Sequence, residues 1–184
     1  MGAMNYYDAK DIANSFRTVR TNTIQIAEDI PEEKYDFRPA PDARSVAQTL
    51  IHISNIPRFA LMLHRDTKQS TLEGFDFPGF VKPLTAMEEN PGSRAGILDR
   101  LREGMEEFAS FAESLDEDYL GEVITMPAGG TPPTRTRFDM LIAVKEHEMH
   151  HRGQLMLIER MLGITPHLTR RQQERMKAMA AGKP

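Results

Sequence analysis

The 184-residue sequence contains no cysteine. That absence removes disulfides, thiolate metal sites and cysteine nucleophiles together, so any bound metal must take nitrogen and oxygen ligands. No apolar run approaches the roughly 18 residues needed to span a bilayer, which excludes a transmembrane helix. The first ten residues, MGAMNYYDAK, lack the apolar core of a secretory signal, and this favours the cytoplasm. Met1 to Ala3 read as an expression remnant. An excess of positive charge is also missing. With a net charge of -4 the chain has no global field for phosphate backbones, so nucleic acid is not an expected partner, nor is a membrane.

What is present is the composition of one globular domain spanning residues 1–184, 40% hydrophobic and 27% charged. Ile12, Phe16, Val19, Ile26 and Ile30 recur at helical spacing and predict a helix from about Tyr6 to Asp29, closed by Pro31 and the Arg38–Pro41 stretch. Ser45 caps a second predicted helix running to about Asp66, with Pro57 inside it as a kink or a restart. Thr67 to Gly92, rich in breakers, reads as a long connection. Ser93 caps a third helix to about Leu115 with Ile97, Leu101, Met105, Phe108 and Ala112 inward. Residues 121–126 predict a short strand, with a hairpin possible across the loop Pro127–Pro133. A fourth helix from Arg137 stops at Gly163, a fitting C-terminal cap. A fifth, from Thr169 to Ala180, reads as a solvated basic face with no assigned partner. Amphipathic helices without parallel strands give an all-α fold, a four-helix bundle with long connections and an additional C-terminal helix.

The segment Glu146–Leu155 carries the chemistry. At helical rotation His151 lies only about 40° from His147, on a face shared with Val144, Gln154 and Ile158. Placing imidazoles on such a face costs roughly one to several kcal/mol each unless they are satisfied, and a divalent metal would satisfy both. His52 is the candidate third ligand, sharing a face with Ile56, Phe59 and Leu63, whereas His64 is rotated by about 120°. The alternative for each histidine is a core residue bonded to backbone or carboxylate. Gln154 and His150 are candidates to orient a ligand. Glu148 and Arg152 point away and suit interhelical pairs. Phe138, Met149 and Met156, nearly opposite His147, call for a second covering surface. Phe59 and the loops Gly74–Phe80 and Pro127–Pro133 are the expected walls of a substrate pocket.

Two other motifs overlap. His147-Glu-Met-His-His151 satisfies HExxH, the zinc and general-base pattern of metallohydrolases, but the metzincin extension fails at Gln154 and Leu157. Glu148-x-x-His151 matches half of a di-iron carboxylate set, and the other half is missing at Thr49 and Leu61.

His147-Glu-Met-His-His-Arg-Gly-Gln154, with Leu162-Gly-Ile-Thr-Pro166 downstream and Arg44-Ser-Val-Ala-Gln-Thr-Leu-Ile-His52 upstream, resembles the DinB/YfiT-like family. The resemblance covers nearly the whole chain in order and spacing. It implies a four-helix bundle whose second and third connections depart from an up-and-down series. It also implies three histidine ligands matching His52, His147 and His151, with zinc or nickel as the metal and frequent homodimers. The activity implied is that of a metal-dependent enzyme acting on a small molecule, in some members transferring a low-molecular-weight thiol to an electrophile. A noncatalytic metal-binding or interaction bundle is the reading from another class, and no catalytic residue is assigned.

Overall fold

The computed structural model describes residues 7–182. Met1 to Ala3 and Tyr6 lie outside them. Helix α1, Ala9–Asp29, starts at Asp8, whose carboxylate accepts from the Lys10 and Asp11 amides while Asp11 reaches back to the Asp8 amide. Helix α2, Val46–Leu61, starts the same way at Ser45 with Gln48. Each such reciprocal cap satisfies two of the amides that a helix start leaves open.

Helix α2 runs through Pro57 without a restart. The proline does leave the Ile53 carbonyl without its helical donor, and the buried guanidinium of Arg20 supplies one through Nη2 at 3.1 Å. After Leu61 the chain makes a π-helical turn, Met62–Asp66, closed by a bond from the Thr67 amide to the Met62 carbonyl at 2.9 Å. An i→i+5 turn shifts the helical register. His64, expected well away from His52, lines the same cavity as His52.

The connection from Thr67 to Gly92 is not structureless. It holds helix α3, Phe77–Glu89, capped by the Asp76 carboxylate on the Gly79 amide. A Cβ at Gly79 would sit 2.1 Å from Asp76 Oδ2, so a larger residue there would have to displace the capping carboxylate. Helix α4, Arg94–Glu113, follows, then the short α5, Glu117–Gly121. Strands β1, Val123–Thr125, and β2, Thr134–Thr136, form an antiparallel hairpin with Ile124 opposite Arg135. Helix α6, Arg137–Met161, ends at Gly163 with φ +80°, where the Ile164 amide bonds the Glu159 carbonyl. Helix α7, His167–Ala180, completes the chain, and its outer residues 171–180 are all exposed, as expected of a solvated face.

Helices α1 and α2 each pack against both α4 and α6, so α1 and α2 occupy opposite corners of a four-helix bundle. The connections after α1 and after α4 therefore cross a diagonal. The family resemblance placed the departure in the second and third connections; the third crosses as expected, and the first, not the second, is the other crossing. Ile26, Ile30, Leu50, Ile53, Leu101 and Leu155 fill one core cluster, and Phe16, Phe108 and Leu141 centre another. Burying each such side chain is worth about 1.5–3 kcal/mol. Helix α3 packs chiefly on α2 and buries no residue fully.

The inward direction of α6 differs from the expectation. Its buried residues, among them Leu141, Val144, Glu148, His151, Leu155 and Ile158, centre about 70° of helical rotation from His147. His147 itself is exposed whereas His151 is buried, so the histidine face runs from the edge of the core into a groove between α2 and α6. Phe138 and Met156, expected to need outside cover, pack within the chain, Phe138 edge-on to Tyr7 at 6.0 Å. Met149 remains 43% exposed.

Candidate metal centre

Helix α2 contributes His52 and helix α6 contributes His147 and His151, one turn apart. Nε2 of His147 lies 3.0 Å from Nε2 of His151 and 3.4 Å from Nε2 of His52. One nitrogen from each ring falls within 4.8 Å of the others, a cluster that could hold a metal ion. Nitrogens each about 2.05 Å from a tetrahedral ion stand roughly 3.3 Å apart, so the spacing fits a single ion. The expected third residue is therefore in place beside the other two.

The outer nitrogens explain the ring orientations. His52 Nδ1 lies 2.7 Å from Glu88 Oε1 on α3, and Glu88 Oε2 in turn accepts from Arg44 Nε at 2.7 Å. A carboxylate only accepts, so Nδ1 carries the proton and the His52 Nε2 lone pair faces its neighbours. His151 Nδ1 donates to Gln154 Oε1 at 2.8 Å, while Gln154 Nε2 lies 3.3 Å from His150 Nε2. Such outer partners fix tautomer and ring plane at metal sites. Gln154 thus takes the orienting role expected of it, and His150 stands one step behind. The alternative of a carboxylate-bonded histidine holds for one nitrogen of His52 only.

Partial desolvation of the His147 ring in the groove, with His52 and His150 nearby, lowers its pKa. Burial likewise takes His151 down to about 4, against the raising effect of Gln154. Neutral rings present lone pairs, the form in which imidazole binds a cation.

Glu148 lies elsewhere. Its carboxylate is fully buried and accepts from Arg20 Nε at 2.9 and 3.0 Å and from Thr23 Oγ1 at 2.7 Å. It forms the interhelical pair expected of it, across α1 and α6. Held there, it can act neither as the HExxH general base nor as a di-iron ligand.

Two cavities flank the histidines. The first, of about 290 Å³, touches His52 and His147 and is walled by Phe59, Phe77, Phe80 and Met140. Phe59 and Phe80 were expected in such a wall. The loop Pro127–Pro133 was too, but the hairpin contributes Arg135 instead. The second, of about 690 Å³, touches His151, with His150, Gln154 and Arg44 in its wall. Glu88, Asn55 and Arg135 were not singled out from the sequence. Glu88 and Arg135 sit on elements whose pairing sequence spacing does not encode, while Asn55, one turn after His52, was legible as a neighbour.

Residues 15–155 match the model of the DinB superfamily. This chain belongs to that superfamily. Among solved structures, the DinB chain is similar to YfiT from Bacillus subtilis, described as a probable metal-dependent hydrolase with an unusual four-helix bundle topology. The two are 16% identical, with a TM-score of 0.65 over 90% of this chain and 93% of that one. At that identity the likeness shows the fold. No curated protein matches this DinB chain. Among the described residues no helix is long and apolar enough to cross a membrane.

Proposed function

We propose that this DinB chain is a metal-dependent enzyme in which His52, His147 and His151 hold one divalent transition metal, zinc or nickel. The observation that carries the reading is the convergence of three Nε2 atoms whose rings are held from behind by Glu88 and Gln154. A divalent ion with three histidine ligands keeps an open position and supplies Lewis acidity, lowering the pKa of a water or thiol that occupies it.

The protein's own groups divide the remaining work. Glu88 and Gln154 keep the imidazoles aimed. The phenylalanine wall of the smaller cavity binds an apolar electrophile and excludes water. Arg44, His150 and Gln154 offer polar contacts to a second reactant in the larger cavity. Two chambers of unlike polarity favour transfer of a low-molecular-weight thiol to an electrophile. Hydrolysis is the second reading, favoured by the likeness to YfiT, with water as the nucleophile and a base other than Glu148. We also propose a homodimer, formed through the apolar outer strip of α6 at Leu157 and Met161, 60% and 51% exposed; sedimentation at several concentrations tests it.

The experiment is elemental analysis of protein purified without chelator, followed by product mass spectrometry with thiol and electrophile pairs. Wild type should carry near one equivalent and His151→Ala far less. Equal and negligible metal in both would overturn the centre. Turnover that needs metal but not thiol would select hydrolysis, and saturable binding with no turnover across the panel would select a noncatalytic bundle.

A further inference from the structure

Helix α3 covers the smaller cavity and is fastened lightly. Its half-buried residues, Phe80, Leu84, Met87 and Glu88, fall on one helical face, and Glu88 is the sole polar member. Phe77 and Phe80 rest on Phe59 of α2 at centroid distances of 5.0 and 5.5 Å. Among the described residues, three hydrogen bonds tie α3 to the rest of the fold. Asn55 Nδ2 donates to the Leu84 carbonyl at 3.4 Å, and Glu88 accepts from His52 Nδ1 and from Arg44 Nε, both at 2.7 Å. The Arg44 side chain is 45% exposed against 21% for His52, so solvent screens the arginine pair more and leaves the histidine bond as the firmer tie.

Both ends of this segment are built to turn. Leu72 is buried and its amide donates to the Thr125 carbonyl at 2.8 Å, while Ser93 caps α4, so the chain is anchored on either side of α3. Just inside these anchors stand Gly74, at φ +70°, and Gly92, at φ +77°. Both are exposed, with nothing within 4 Å of where a Cβ would lie. Glycine at an element end in open space absorbs a backbone rotation without steric cost. A helix with few buried contacts, held between two such joints, belongs to the least stable part of a fold.

We propose that α3 is a hinged lid over the smaller cavity, turning at Gly74 and Gly92, and that Glu88 is its latch on His52, closed more firmly when the triad holds its metal. The coupling rests on the triad being a metal centre. A cation at His52 Nε2 draws electrons from the ring, which makes Nδ1–H a better donor, and its charge attracts the Glu88 carboxylate. Linkage makes the effect mutual: the factor by which the latched carboxylate raises metal affinity is the factor by which metal favours the closed lid. Loss of such a carboxylate weakens binding about 10- to 100-fold, so metal should lower the ratio of open to closed lid by about that factor. Access to the phenylalanine-lined chamber then depends on whether the histidines are occupied.

The lack of cysteine allows two spin labels on the full chain, at Lys82→Cys on α3 and Thr18→Cys on α1, both exposed positions. Pulsed electron resonance gives the distance distribution between them with and without zinc, and competition with a chromophoric chelator gives the zinc affinity of the same labelled protein. Without zinc the distribution should contain a second, displaced population while the helical circular dichroism is unchanged. Saturating zinc should reduce that population about 10- to 100-fold. In Glu88→Ala it should grow and persist at saturating zinc. Zinc binding with an unchanged distribution would overturn the coupling. A single narrow distribution in Glu88→Ala, or loss of helical signal in place of displacement, would overturn the lid, and each of these results leaves the metal centre standing. In a chain that binds no zinc, a larger displaced population in Glu88→Ala than in wild type would support the latch and remove the metal reading alone.

Discussion

Arg20 binds four helices through one side chain. It is fully buried, gives Nε to Glu148 on α6, Nη1 to the Leu101 carbonyl on α4 at 3.1 Å, and Nη2 to the Ile53 carbonyl that Pro57 leaves open on α2. Removing one member of a buried ion pair leaves the other uncompensated, which typically costs about 3–5 kcal/mol. Arg20→Met should therefore lower the urea midpoint by a corresponding amount, measured by circular dichroism. Glu148→Gln keeps an acceptor and should cost less, about 1.5–3 kcal/mol, while zinc occupancy stays at the wild-type level. If Glu148→Gln instead abolished turnover without loss of stability, the general-base role would return. Part of this was legible in the sequence. Arg20 follows Phe16 by one turn on the apolar stripe, and Pro57 announces an open carbonyl. Helical periodicity orders residues on their own face but does not name the partner 128 positions away, so the link between them was not readable.

Among the elements, α3 contributes most to the candidate site for its small share of the core. Its apolar residues Phe77, Phe80, Val81 and Leu84 line the cavity, and Glu88 reaches His52. This also explains why a helix with Pro78, Gly79 and Pro83 in its sequence escapes a periodicity reading: its apolar face covers a cavity and carries no buried stripe. The bundle helices α1, α2, α4 and α6 were legible because their stripes face a continuous core. Losing the carboxylate behind a ligand histidine typically weakens metal binding 10- to 100-fold. Glu88→Ala should weaken zinc binding by about that factor in competition with a chromophoric chelator, while the far-ultraviolet circular dichroism stays unchanged. An unaltered zinc affinity would show that α3 serves only as a cavity wall.

The whole molecule carries opposed proton linkages. Glu159, fully buried near the end of α6 and without a hydrogen-bond partner for either oxygen, has its pKa raised to about 7, first by burial and then by Asp29 on α1. Relative to an unfolded value of 4.5, the folded state binds the extra proton between these limits. Stability from this group is therefore lost as pH rises through that window, and the cost is complete above it. His64 acts in the other sense. Its lowered pKa, about 4 against 6.5, means that the unfolded chain takes the proton first, so stability falls as pH drops from 6.5 towards 4. His147, His151 and His167, also lowered, add to the acid slope. Wild-type profiles superimpose these effects, whereas a difference between two chains isolates one. Glu159→Gln retains an uncharged polar group of the same shape, so any penalty from its unpartnered amide is independent of pH. The stability of Glu159→Gln relative to wild type should then rise by about 1–3 kcal/mol between pH 5 and pH 8, a tenfold difference in proton affinity between folded and unfolded chains being worth about 1.4 kcal/mol. Urea denaturation at the two pH values measures it. A relative stability that stays constant would mean that Glu159 holds the same charge in folded and unfolded chains, and that the junction of α1, α6 and α7 admits a carboxylate without strain.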